Sequence, residues 1–440
     1  MSCRARNSID AGIFLNRLYP ASVVLAVLLT FLACDKGGSG SPPPDVLLPI
    51  DSPVATTALS PTDDAEPSGT PIPTDPIRAA VAEMSVDQKV GQMLMLGFSG
   101  TIVDSTVESQ IRDWRIGGLV FLGSNAQGAR EIAEFTHQAQ EIAMESTGYG
   151  LLLSIDQEGG EVLRLNPPFT EFPAAADIGV AGDSVLARDI GNAIGEEMGS
   201  VGLNMDLAPV LDVGQSSPAI GTRSFAEDEV TVSKMGAAFI AGLSSAGIVS
   251  TAKHFPGHGS VAVDSHVALP VDYRESDVIS AVDLEPFRAA ITAGVDVVMT
   301  AHVSYPGLDP GPSRPATVSP PIVTDLLRGQ LGYEGVIITD NIMMGGITDV
   351  YSPGRGAVEA IKAGADIVLA SASFADQAAI RQTILEAVAS GEIAPERLDE
   401  SVERILRLKQ RYSVGAPFDY NPDLIGSPEH QALVDEVDAH

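Results

Sequence analysis

Eight short apolar runs, each followed by helix-compatible sequence, predict an α/β chain folded as a single (β/α)8 TIM-type barrel. Two further features support that class. The runs are almost continuously apolar, as strands are when helices cover both faces of a parallel sheet. The ionisable residues also gather just beyond the runs, and in a barrel those ends share one mouth, where active sites of this architecture are built.

The runs at 92–98 and 118–121 open the pattern, and 129–145 after them has helical periodicity. The third, 150–155, leads directly into Asp156-Gln157-Glu158-Gly159-Gly160. The fourth, 203–207, follows the helical stretch 184–200 and contains Asp206. The fifth, 249–252, stops before Lys253-His254, the sixth, 295–300, before His302, and the seventh, 335–339, before Asp340. The eighth is 365–370. An open doubly wound sheet is the competing architecture. It needs a nucleotide-type glycine turn after the first strand, and Gly97-Phe98-Ser99-Gly100 is a poor match to one.

Ahead of the barrel, Arg4, Arg6 and Arg17 precede an apolar run at 21–33 that is short for a membrane span and suits a secretory signal, so residues 1–33 are read as a signal peptide. Phe31-Leu32-Ala33-Cys34 resembles a bacterial lipobox in which Cys34 is lipidated. Residues 35–76 are rich in Gly, Ser, Pro, Thr and Asp and read as a disordered linker. The barrel is expected over 77–415, and 416–440 is a C-terminal tail too short for a second domain. This order implies an extracytoplasmic lipoprotein whose contact with the membrane is its N-terminal anchor, with simple secretion as the alternative.

Basic residues number 26 against 58 acidic, a formal charge of -32 that repels phosphate backbones and argues against a nucleic-acid partner. Cys3 and Cys34 both precede the barrel, so no internal disulfide staples it. The chain is expected to act as a monomer.

Chemistry is densest in Lys253-His254-Phe255-Pro256-Gly257-His258-Gly259 and its continuation Asp264-Ser265-His266. Three of the seven histidines fall within thirteen residues, among glycines and a proline that suit a loop. Such density is hard to explain as packing. A His-Glu-x-x-His helix is missing, and the glycine and proline between the histidines preclude helical spacing, so no metal and no cofactor is expected.

These strings, with Ile155-Asp156-Gln157-Glu158-Gly159-Gly160, Val162, Arg164, Ile220-Gly221-Thr222-Arg223-Ser224-Phe225, Thr300-Ala301-His302-Val303 and Thr339-Asp340-Asn341, resemble glycoside hydrolase family 3, in its β-N-acetylhexosaminidase branch. Two positions depart from the family pattern. Ser260-Val261 stands where Asp-Thr is usual, and Asn341 where a second Asp often follows.

The resemblance implies an enzyme that releases terminal β-linked N-acetylglucosamine, with retention and through a covalent glycosyl-enzyme, from peptidoglycan fragments or chitin-type oligosaccharides. It makes Asp340 the nucleophile and His266 the proton donor and acceptor, with Asp264 fixing the tautomer of the imidazole. Asp156, Arg164, Arg223, Lys253 and His254 would bind the carbohydrate. His258, between two glycines, is expected to bond the loop backbone. The alternatives are a β-glucosidase of the same family, a glycoside phosphorylase and a non-catalytic sugar-binding lipoprotein. The first usually draws site residues from a second domain, and the last has no use for the Asp264, His266 and Asp340 set. Phosphorolysis stays open because a neutral imidazole, unlike a carboxylate, does not repel phosphate.

Overall fold

The computed structural model describes residues 75–440; the signal segment 1–33, Cys34 and the linker up to residue 74 lie outside the described residues. The first described helix starts slightly before the expected boundary at 77. Asp75 accepts a hydrogen bond from Ile77 N, and Pro76 opens the helix Pro76–Glu83, a position where the missing N–H costs nothing.

Eight parallel strands follow: β1 Leu94–Gly97, β2 Gly118–Val120, β3 Leu152–Ile155, β4 Met205–Asp206, β5 Thr251–Phe255, β6 Val297–Thr300, β7 Val336–Thr339 and β8 Val368–Ala370. They make a five-stranded sheet in the order β8-β1-β2-β3-β4 and a three-stranded sheet β5-β6-β7. Isolated parallel bridges link the two sheets on both sides. Met205 pairs with Val249 and Val210 with Lys253 on one side, and Ile338 pairs with Ile367 on the other. Every residue of β1, β6 and β7 is buried, which is why these strands read as unbroken apolar runs and show no alternation.

Two differences from the sequence pattern bear on the site. Strand β5 continues to Phe255, past the expected end at 252, so Lys253 and His254 are strand residues and not loop residues. Hydropathy ends a strand at a charge, whereas tertiary neighbours decide whether that charge can be buried; Lys253 is 2% exposed. The chain after β3 also makes an antiparallel hairpin, Gln157–Gly159 with Val162–Leu163, before any helix. Its turn passes through Gly159 at φ 97° and Gly160 at φ 58°, left-handed conformations that favour glycine.

Helices Ala129–Thr147 and Ser184–Ser200 lie where their periodicity places them. Ser184–Ser200 packs closely on Glu229–Ser245, and a Cβ on Gly242 would sit 2.1 Å from Arg188 O. Residues 416–440, read as a tail, contain the helix Pro428–Asp438, whose His430 Nδ1 lies 2.9 Å from Glu197 Oε1. Among the described residues no helix is long and apolar enough to cross a membrane.

Candidate active site

At the carboxyl ends of the strands a cavity of about 420 Å³ is lined by Asp156, Glu158, Arg164, Arg223, Lys253, His254, Asp264, His266, Asp340 and Asn341. All the site residues expected within the barrel therefore face one space, although they come from segments up to 184 residues apart. Asp206 does not join them. It is fully buried, with Oδ1 accepting from Gln157 N at 3.0 Å, and burial pushes its carboxyl well above the usual range.

The floor is an ion cluster. Lys253 Nζ, on β5, lies 2.7 Å from Asp156 Oδ1 and 2.6 Å from Glu158 Oε1. Arg223 reaches the same Glu158 with two parallel bonds, Nε to Oε2 at 2.7 Å and Nη2 to Oε1 at 2.8 Å. Burial opposes ionisation of Glu158, but the adjoining Lys253 and Arg223 outweigh it and hold the carboxyl below its ordinary range. The Lys253 ammonium is likewise disfavoured by burial, yet Asp156 and Glu158 raise its pKa. Two acids and two bases thus balance in a nearly dry site.

This geometry separates two arginines that the sequence treats alike. Arg223 is committed to Glu158 and, through Nη1, to Ala219 O at 2.6 Å. The Arg164 guanidinium makes no hydrogen bond to any other described residue and is the donor left open for a ligand.

Asp212 organises the histidines. His254 Nδ1 lies 2.7 Å from Asp212 Oδ2, while the His258 N–H donates to Asp212 Oδ1 at 2.5 Å. An ionised carboxylate only accepts, so Nδ1 of His254 carries a proton, and Nε2 has no hydrogen-bond partner among the described residues. His258 does not serve the loop backbone through its ring as expected. Its Nε2 lies 2.8 Å from the hydroxyl of Ser265, between Asp264 and His266.

Asp340 and the Asp264–His266 pair line the same cavity. Asp340, directly after β7, accepts from Asn341 N at 2.6 Å. Burial raises its pKa, but His302, His254, that N–H and Lys253 prevail and keep it below the usual value. His302 is itself pushed toward neutrality by burial, so its share of that effect fades as it loses its proton. His302 Nε2 donates to Asn341 O at 3.1 Å and so steadies the segment that carries Asp340.

His266 Nδ1 lies 2.7 Å from Asp264 Oδ1, which also accepts from His266 N at 2.9 Å. The backbone of this pair is tied to the segment after Asp340: Gly345 N donates to His266 O at 3.1 Å and Gly346 N to Ser265 O at 2.9 Å. The imidazole itself stays open to solvent, with its side chain 63% exposed. A carboxylate, a carboxylate-supported imidazole and a set of fixed polar groups together suit acid–base and nucleophilic chemistry on a polyhydroxylated ligand. Among the described residues no three acidic, histidine or cysteine side chains converge as a metal site.

Sequence reasoning passed over Glu158 as a site residue and missed Asp212. Glu158 stood inside a quoted motif, and only its shared contacts with Lys253 and Arg223 show its importance. Asp212 ends the apolar stretch Leu207-Ala208-Pro209-Val210-Leu211, the same signal that marked Asp340.

Residues 85–408 match the model of the glycosyl hydrolase family 3 N-terminal domain. The chain is 35% identical over 400 residues to beta-hexosaminidase A of Pseudoalteromonas piscicida, covering 82% of this chain and 67% of that protein. It is similar to the structure of a glycoside hydrolase family 3 beta-N-acetylglucosaminidase from Paenibacillus sp. str. FPU-7, with a TM-score of 0.77, 39% identity and coverage of 80% and 68% of the two chains. The beta-N-acetylhexosaminidase from Beutenbergia cavernae DSM 12333 gives a TM-score of 0.69 at 33% identity, covering 75% of this chain and 99% of that one.

Proposed function

The chain belongs to glycosyl hydrolase family 3, and on that premise we propose that it is a β-N-acetylhexosaminidase that hydrolyses terminal, non-reducing β-linked N-acetylglucosamine with retention. The observation that carries the reading is the Asp264–His266 pair at 2.7 Å in the cavity that also holds Asp340. Asp340 attacks the anomeric carbon while His266 protonates the departing oxygen, and Asp264 supports the imidazole through Nδ1. His266 then takes a proton from water, which displaces Asp340 from the sugar. Two inversions leave the β configuration. Arg164 and His254 Nε2 supply polar contacts to the sugar, while Lys253 and Arg223 hold Asp156 and Glu158 in place to accept from its hydroxyls.

The same reading extends to architecture and location. The bridges on both sides of the two sheets support a closed (β/α)8 barrel of eight parallel strands. Lipidation of Cys34, a linker and a monomeric barrel make an anchored extracytoplasmic enzyme; a Cys34→Ser chain should move from the membrane to the soluble fraction. Chitin-type oligosaccharides and peptidoglycan fragments both carry the required terminal sugar.

The deciding experiment compares kcat/KM of the protein on the β-N-acetylglucosaminide and the β-glucoside of one chromogenic phenol. A large preference for the acetamido sugar is expected, and preference for the glucoside overturns the assignment.

A further inference from the structure

A second, smaller cavity of about 200 Å³ lies between the segments that follow β1 and β8, with Ser99, Asp104, Gln110, Ser373 and Phe374 on its lining. It adjoins the catalytic cavity along the chain. Ser371 lines the larger space and its N–H donates to Asn341 Oδ1 at 3.1 Å, one residue from Asp340. Ala372 and Ser373 line the smaller one, so the two linings meet at adjacent residues, about 3.8 Å apart along the chain.

Two independent features of this cavity call for a ligand. Phe374 is a large aromatic that is 43% exposed, with one face stacked on Trp114 at 4.8 Å and 19°. Its other face is the natural platform for the apolar face of a pyranose ring. Gln110 is 2% exposed, its Nε2 donates to Gln377 Oε1 at 2.6 Å, and its Oε1 has no partner. Gln377 cannot supply one, because its own Nε2 is spent on Gly97 O at 2.7 Å and Ala370 O at 3.1 Å. That acceptor is itself withdrawn from solvent, so a hydroxyl donor meets it only where a ligand displaces the lining around it.

The lining also selects among leaving groups. Asp104 is its one ionisable residue, and it is an acid, so a carboxylate-bearing muramic acid unit is disfavoured and a neutral sugar is not. We propose that this cavity is a leaving-group subsite that takes a further sugar residue of a neutral β-linked N-acetylglucosamine oligosaccharide, stacked on Phe374. The proposal rests on the hydrolase reading above and narrows it to chitin-type substrates.

The test measures kcat/KM of the parent, Phe374→Ala, Phe374→Leu and Phe374→Tyr on an aryl N-acetylglucosaminide, on chitin di-, tri- and tetrasaccharides, and on a β-N-acetylglucosaminyl muramic acid disaccharide. In the parent, kcat/KM should rise along the neutral series and stay above the value for the muramic acid disaccharide. Phe374→Ala and Phe374→Leu should lower it about five- to tenfold on the longer oligosaccharides and less than twofold on the aryl glycoside, with Phe374→Tyr near the parent. No activity on the aryl glycoside refutes the hydrolase reading itself. Activity there with no gain along the series, equal effects of Phe374→Ala on all substrates, or preference for the muramic acid disaccharide overturns the subsite alone.

Discussion

Glu158 is gripped by Arg223 through two bonds of 2.7 and 2.8 Å, and both side chains are largely withdrawn from water. Lys253 shares the same carboxylate, so Glu158 neutralises two cations at once. Glu158→Gln keeps the shape and removes the charge. It should cost about 3–5 kcal/mol of stability, because two buried cations are left with Asp156 alone. Since the folded-state pKa of Glu158 is depressed, its contribution is fully present above the ordinary carboxylate range near about 4.3 and is lost as pH falls through the lowered value. Chemical denaturation at several pH values checks this: the deficit of the variant should be constant at pH 6–8 and shrink below about pH 4. A deficit that grows as the medium is acidified would contradict the assignment.

Asp340 contributes no large apolar contact, so Asp340→Ala should leave the melting temperature within a few degrees of the parent. Turnover on an aryl N-acetylglucosaminide should fall at least about 10⁴-fold, since the variant has no group to form the glycosyl-enzyme. Residual activity within a few-fold of the parent removes Asp340 from the mechanism.

His266→Ala separates the two steps of the reaction. On a natural disaccharide, whose leaving group must be protonated, the loss should be about 10²–10⁴-fold; on an activated aryl glycoside it should be markedly smaller. Azide, which needs no general base, should restore turnover and give the β-glycosyl azide with retained configuration. Equal loss on both substrates with no azide product would point to Asp264 as the proton-transfer group.

Gly345 ties the acid–base segment to the nucleophile segment. A Cβ there would sit 2.3 Å from Val267 O, so Gly345→Ala must push the Asp264–His266 backbone away from Asp340. The expected result is a drop in kcat of about 10²-fold on a disaccharide, a smaller drop on an aryl glycoside, and about 1–3 kcal/mol of lost stability. Unchanged kcat on both substrates would show that the segment finds its place without this bond.

Much of the site was legible before the structure because its polar residues follow apolar runs, and burial makes such runs conspicuous. Asp156, Lys253, His254 and Asp340 were found in this way, and the density of histidine pointed to Asp264 and His266. Charge within a strand was not legible. Lys253 and His254 interrupt the hydropathy of β5 although both are buried, because the compensating Asp156, Glu158 and Asp212 come from segments distant in the chain.

The sequence by itself determined where the eight parallel strands fall and the pairing of Asp264 with His266, since these depend on local periodicity and on residues two apart. The tertiary structure decided which charges cancel. It spent Arg223 on Glu158 and left Arg164 open, gave His254 to Asp212, and tied His266 to the segment after Asp340 through Gly345. Such partnerships depend on distances between segments far apart in the chain, and hydrogen bonds and ion pairs act over a few ångströms, a scale that residue spacing along the chain does not encode.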